Sequence, residues 1–296
     1  MLVILGAGHS AALSTHLDVN LPPLPSGHHL RLTEGLSLLE GRTSALKPDE
    51  MPSMDRTVPG DTYGRSSKTQ NGLIVIDDSV PGEAGDLLSV GGTVWPCAAA
   101  LCRWLRSEAV SHSFAGASVL EIGAGTGACG LYAAGLGSAR VHLTDGRVGL
   151  GELLSHNIKR NAHELSLVGS AVTSGLHRWG EDPAPKGPWD WVIGSDITYH
   201  NADATMDALA STLGTLLDTS RPPRVVIAHD HRLREAMESA GTSWDVGDDN
   251  LSRFAAAVEG RGLVLEQLAW ERPTREERAI GCHEVSIIEV SAPPPG

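Results

Sequence analysis

One stretch of this 296-residue chain concentrates the chemistry: Val119-Leu-Glu121-Ile-Gly123-Ala124-Gly125-Thr-Gly127-Ala-Cys-Gly130. A short apolar run leads into three alternating glycines and then into a helical pattern. Glycines let the backbone turn tightly and approach a ligand closely, and the helix N-terminus that follows offers N–H groups. Glu121 stands two residues before the first glycine, where a carboxylate can organise the turn beside a cationic group of the ligand. Asp145, 24 residues after Glu121, ends the next strand, Val141-His-Leu-Thr-Asp145. An acid at that point can bond both hydroxyls of a ribose. The set calls for a nucleotide-type ligand. Gly123-x-Gly125-x-x-Ala128 also satisfies the dinucleotide pattern, and both nucleotide classes use the ribose acid, so Asp145 alone does not decide between them.

Two further strand ends carry reactive side chains. Asp190-Trp-Val-Ile-Gly-Ser195-Asp196-Ile-Thr-Tyr199 closes one of them. An acid there can bind a cation, or simply cap the next helix, and an aromatic can hold the cation by its face, or simply pack. Ala228-His229-Asp230-His231-Arg232 closes the next, on the edge where open sheets bind ligands. His-x-His spacing suits a metal, but no third ligand is evident. A solvated loop is the plainer expectation there, and no metal is expected. The pair His28-His29 reads as loop. Met1-Leu-Val-Ile-Leu-Gly6-Ala-Gly8-His-Ser-Ala11 imitates a dinucleotide fingerprint, but a proline-rich stretch follows it where a helix and strand should.

The elements that must position these residues alternate from about Gly91 onward, which implies a parallel sheet covered by helices. Pro96 suits the first turn of a helix in which Cys97, Leu101, Trp104 and Leu105 share a face. Strands are expected at Ser118–Ile122, Arg140–Leu143, Asp190–Gly194, Arg224–Ala228, Leu263–Ala269 and Glu284–Val290. Helices are expected at Thr126–Ala134, around Leu150, Leu153, Leu154 and Asn161, from Asn201 through Met206, Leu209, Leu213 and Leu216, and at Leu251–Gly260. Before Gly91 the chain differs. Gly41 to Asn71 is polar and aperiodic, hence loop or disorder, with short extended candidates at His29–Leu32 and Gly72–Ile76.

Composition bounds the rest. Hydrophobic residues make up 41% of the chain, enough for a real core. The net charge of −13 argues against a general nucleic-acid binder, which needs a basic face, and fits a small-molecule enzyme or a basic partner. Four cysteines without C-x-x-C spacing suit buried thiols in a reducing compartment. No membrane span is expected, because the apolar stretch at Val94–Leu105 is short and is broken by Pro96 and Arg103. The first residues lack the basic segment of a signal peptide.

At this point the sequence resembles a known family. E-x-G-x-G-x-G followed by a ribose acid looks like class I S-adenosylmethionine-dependent methyltransferases. Gly92-Thr-Val-Trp95-Pro-Cys-Ala-Ala, Leu176-His-Arg-Trp179-Gly and the D-x-x-Y of Asp196 and Tyr199 narrow it to the seven-strand, methyltransferase-like protein-lysine methyltransferases (methyltransferase family 16). The resemblance implies a Rossmann-like α/β fold: a seven-stranded, mostly parallel sheet with helices on both faces, over residues 72–290. It leaves an N-terminal extension over 1–71 and a proline-rich tail over 291–296. It implies S-adenosylmethionine as cofactor, bordered by Trp95, wrapped by Gly123, Ala124, Gly125 and Gly127 with Glu121 behind them, held at the ribose by Asp145, lined by Trp179 along the adenine and touched by Ser195. Asp196 and Tyr199 then stand where the acceptor enters, with Asp196 as base or as anchor. The activity implied is methyl transfer to a protein lysine, by a monomer in the cytoplasm or nucleus. Arginine, histidine and small-molecule acceptors stay open, as do a nicotinamide-dependent oxidoreductase and a non-catalytic binding module on the same fold.

Overall fold

The computed structural model describes residues 21–27, 30–32, 90–199, 203–231, 249–275 and 283–294. Seven strands form one sheet: β1 Ser118–Ile122, β2 Arg140–Asp145, β3 Ala171–Leu176, β4 Trp191–Ser195, β5 Arg224–Asp230, β6 Val264–Glu271 and β7 Val285–Ser291. Their spatial order is β3-β2-β1-β4-β5-β7-β6. Strands β1 to β5 pair in parallel, and β7 is antiparallel to both of its neighbours. The chain leaves β1 to build one half of the sheet through β2 and β3, then returns to β4 on the other side. That reversal opens a crevice beyond the carboxyl ends of β1 and β4.

Both faces of the sheet are covered, which is why β1 and β4 read as nearly continuous apolar runs. On one face Val119, Ile193, Val226 and Ile287 pack with α1 (Pro96–Arg106), α2 (Ala128–Gly135) and Leu154 of α3 (Val148–Arg160). On the other, Leu120, Val192, Val225 and Ile288 pack with α5 (Asp203–Leu217) and α6 (Asp249–Glu259). A short helix α4 (Ala162–Leu167) follows α3. The periodicities behind α1 and α5 hold: Cys97, Leu101 and Leu105 are buried, as are Met206, Leu209, Leu213 and Leu216.

Several boundaries differ from the sequence reading, each for a physical reason. Strand β3 had no apolar run to announce it, because Ala-Val-Thr-Ser-Gly-Leu is a half-exposed edge. Helix α2 begins at Ala128, since Gly127 sits at φ 79 as its cap. Strand β5 continues to Asp230 by pairing His229 and Asp230 with Ser286 and Val285 of β7. Asp190 lies just before β4, where its Oδ2 accepts both the backbone N–H and the hydroxyl of Ser118 at 2.8 Å.

Part of the N-terminal extension is docked. Leu24 is 3% exposed and packs on Gly135 of α2, and the Tyr132 hydroxyl donates to the Pro23 carbonyl at 3.1 Å. Residues 30–32 form no strand. Instead the Asn161 side chain accepts from the Arg31 N–H at 2.8 Å and donates to the Arg31 carbonyl at 2.9 Å, while the Arg31 guanidinium meets Glu164. The candidate strand Gly72–Ile76, the loop around residues 41–71, the boundary at 71, the pair His28-His29, the first eleven residues and the cap at Asn201 lie outside the described residues. Among the described residues no helix is long and apolar enough to cross a membrane, and Cys97, Cys102 and Cys129 are buried thiols in no disulfide.

Candidate active site

A cleft of about 790 Å³ opens at the carboxyl ends of β1, β2 and β4. It brings together Trp95, Glu121, Gly123, Ala124, Gly125, Asp145, Trp179, Ser195, Asp196 and Tyr199. Gly127 does not line it. At φ 79 it caps α2, and a Cβ there would fall 2.9 Å from the side chains of Leu143 and Leu154, so the position has a packing reason to be glycine.

The glycine turn is bonded to the end of β2. The Ala124 N–H donates to the Thr144 carbonyl and the Gly125 N–H to Asp145 Oδ2, both at 2.9 Å, while the Thr144 hydroxyl donates to the Glu121 carbonyl at 2.8 Å. Gly125 has φ 53, and a Cβ on it would meet the Gly91 carbonyl oxygen at 2.5 Å. Both facts restrict the position to glycine. Asp145 thus braces the turn with Oδ2 and accepts the Arg147 N–H at 3.1 Å with Oδ1. Burial raises its carboxyl above the usual range, and those backbone bonds pull it back. Each carboxylate oxygen carries two acceptor sites, so bracing leaves capacity for a hydroxyl partner.

Glu121 points to the α2 side of β1, where its Oε2 accepts the Gly130 N–H at 2.9 Å. Burial pushes its carboxyl up to about 8, with the Asp145 charge adding to the effect. The acid therefore ties β1 to α2 beneath the turn as well as facing the cleft.

Two tryptophans frame the opening. Trp95 is the residue before α1, with extended backbone. Trp179 follows β3 and lies across the turn, its ring 3.1 Å from where a Gly123 Cβ would stand. Opposite them, β4 ends at Ser195. Its hydroxyl is buried with no hydrogen-bond partner. Asp196 then takes φ 57, a left-handed conformation that is uncommon for a residue with a side chain and tolerated best by Asp and Asn. Its N–H donates to the Ala228 carbonyl at 2.9 Å as the chain turns out of the sheet, and the residue, 7% exposed, lines the cleft. Tyr199, half-buried, lines the same wall.

Other lining groups escaped the sequence. Gly91 and Thr93 precede Trp95, and the Gly91-Gly92 pair was the signal for a close backbone approach. Arg147 and Arg178 bring positive charge, Ala204 and Ala208 of α5 offer only small side chains, and His177 is buried, its imidazole lowered by desolvation and so neutral at pH 7. His229 and His231 fall outside this wall and are not on a solvated loop: both are buried at the end of β5, correcting the expectation for that segment. Among the described residues no group of three His, Cys, Asp or Glu is placed to hold a metal ion.

The strand order with its single antiparallel strand, the glycine turn after β1 and the acid closing β2 define a class I, Rossmann-like methyltransferase architecture. Comparison with known proteins narrows the class. A family model described as lysine methyltransferase matches residues 79–240, more than half of the chain, and the chain belongs to that family. It is 32% identical over 166 residues to protein N-lysine methyltransferase METTL21A of Xenopus tropicalis, covering 54% of this chain and 72% of that protein. It is 38% identical over 128 residues to the Danio rerio protein of the same name, covering 43% and 55%. It is 35% identical over 136 residues to EEF1A lysine methyltransferase 3 of Mus musculus, covering 46% and 54%. The chain thus spans little more than half the length of two of these three relatives.

Proposed function

We propose that this protein uses S-adenosylmethionine to methylate a lysine side chain of a protein substrate. Membership of the lysine methyltransferase family and the names of its relatives support the acceptor. The observation that carries the mechanism is Asp196, held in a left-handed turn on the wall of the cleft that also contains the glycine turn and Asp145.

The residues present fit the cofactor. The Gly123–Gly125 turn presents backbone instead of side chains, Asp145 has acceptor capacity for ribose hydroxyls, Trp179 offers an aromatic surface for adenine, and Ser195 brings a buried hydroxyl in want of a partner. When bound, S-adenosylmethionine supplies a methyl group on an electrophilic sulfonium. What remains for the chain is alignment, desolvation and proton handling. A lysine side chain has an unperturbed pKa of about 10.4, so its nucleophilic neutral form is scarce at pH 7. Asp196 receives the ammonium at the cleft wall and Tyr199 holds it by its ring face. The carboxylate by itself favours the charged form; desolvation in the channel opposes it, and the proton passes to Asp196 acting as base, or to water, before the neutral amine attacks. Three buried thiols outside any disulfide support a reducing compartment, and we place the protein there as a monomer acting on another protein.

The test is labelling with tritiated S-adenosylmethionine in a lysate from cells lacking this protein, followed by mass spectrometry of the labelled band. A methylated lysine is expected. A methylated arginine or histidine, label only in small molecules, or binding of NAD in place of S-adenosylhomocysteine would overturn the reading. Asp145→Ala should weaken S-adenosylhomocysteine binding, whereas Asp196→Gly, which keeps the left-handed turn, should abolish turnover with that affinity retained.

A further inference from the structure

The turn that carries Asp196 is fastened to β5 at two consecutive residues. The Asp196 N–H donates to the Ala228 carbonyl at 2.9 Å, and the Thr198 hydroxyl lies 2.6 Å from His229 Nδ1. Thr198 and His229 are 0% and 1% exposed, so they stand behind the cleft wall and touch no substrate. Between Asp196 and Thr198, Ile197 packs into the core. His229 is itself held. Its ring meets that of His231 edge-on at 4.9 Å, His231 stacks on Trp270 of β6 at 4.7 Å, and His231 Nε2 bonds Ser286 Oγ of β7 at 2.8 Å. Ser286 in turn donates to Gln267 of β6 at 3.3 Å.

A polar chain of this kind, buried between sheet strands, is costly unless its members are bonded, and apolar packing would stabilise the fold more simply. Its placement explains its presence. Asp196 holds a backbone conformation that an unrestrained residue would leave, and Tyr199 follows Thr198 directly. Fixing Thr198 fixes the acid before it and the aromatic after it.

We infer that His229 is a positioning residue for methyl transfer: its hydrogen bond to Thr198 holds the Asp196–Tyr199 turn in register with the cleft and couples that turn to the β6–β7 hairpin. The inference rests on the lysine methyltransferase reading of the same site, and the experiment separates the two. The variants are Thr198→Val, which keeps the shape and removes the hydroxyl, His229→Ala, and His229→Asn, whose amide can still bond Thr198. Wild type and variants are assayed for transfer of tritium from S-adenosylmethionine to the labelled lysate band, for S-adenosylhomocysteine affinity by calorimetry, and for melting temperature. Loss of one hydrogen bond used in the transition state predicts roughly a tenfold fall in kcat for Thr198→Val and His229→Ala. Cofactor affinity should stay within about twofold of wild type, and His229→Asn should recover most of the rate. The double variant should be no slower than either single one, because both remove the same bond.

If wild type labels no protein, the methyltransferase reading fails and the inference falls with it. If wild type labels its substrate and Thr198→Val matches its kcat, the positioning role is overturned while the activity stands. A fall in rate that tracks melting temperature across all variants, with no rescue by asparagine, also overturns it in favour of a purely structural network.

Discussion

Glu121 sets how the site answers to pH. In the unfolded chain its carboxyl ionises near the ordinary value of 4.5, and in the fold burial pushes it up to about 8. Between those values the folded protein keeps a proton that the unfolded chain has lost. The stability contributed by this group is therefore full below about 4.5 and is lost as pH rises through about 8. One proton gives a slope of at most about 1.4 kcal/mol per pH unit. Glu121→Gln keeps an acceptor for Gly130 and cannot ionise. Urea unfolding should show wild type losing stability from pH 5.5 to pH 8 and the variant following a flatter course. Parallel courses would assign the dependence to other groups. A cationic ligand facing Glu121 reverses its preference, so binding of S-adenosylhomocysteine, through its ammonium, should release a proton at pH 7. Calorimetry in two buffers of different ionisation enthalpy reads that release. The spacing of Glu121 before the glycines was legible in the sequence, but its bond to Gly130 was not, because nothing in a run of residues says which side of a strand faces which helix turn.

At the scale of elements, the glycine turn is held because its backbone is bonded to β2 and Gly125 abuts the backbone of Gly91. Gly125→Ala would place a methyl group against the Gly91 carbonyl in a left-handed conformation. The backbone alone costs about 1–2 kcal/mol, and S-adenosylhomocysteine affinity should fall by tenfold or more as the turn shifts. An unchanged dissociation constant would show that the turn does not shape the ligand site. The segment at residues 21–32 makes a second prediction. Leu24 sits in a socket formed at Gly135, so Leu24→Ala should lower unfolding free energy by about 2–3 kcal/mol while cofactor affinity holds. A loss under 0.5 kcal/mol would mean the segment only rests on the surface. Strands and helices with two buried faces or a clean apolar stripe were legible: β1, β4, α1 and α5 have the expected cores. Strand β3 was not, since a half-exposed edge of small and polar residues carries no period. The docking of Leu24 was not either, since a leucine among prolines looks alike whether it is bound or free. In the site the acids and aromatics were legible by type and spacing. The Gly91 carbonyl and the small residues of α5 contribute shape alone, and shape leaves little mark on a sequence.

For the whole molecule, little of the net charge of −13 lies in the cleft. The cleft is lined by Glu121, Asp145, Glu181 and Asp196 against Arg147 and Arg178, four acids to two bases, a formal −2 that becomes −1 while Glu121 holds its proton. That local excess is small beside the charge of the chain, so in the proposed reaction a basic acceptor is attracted mainly by the summed field, with Asp196 proposed to act at close range. The two contributions respond differently to salt. At an ionic strength of 0.5 M the screening length is about 4 Å, which removes the long-range field and leaves contacts inside a partly desolvated channel little changed. Raising KCl from about 0.05 to 0.5 M should thus lower kcat/KM for the protein substrate severalfold through KM, with kcat nearly constant. If kcat falls in step, salt is reaching the ammonium held by Asp196, and the channel is wetter than a lysine needs in order to lose its proton. If neither moves, the acidic balance plays no part in recruiting the substrate, and recognition depends instead on shape around Tyr199.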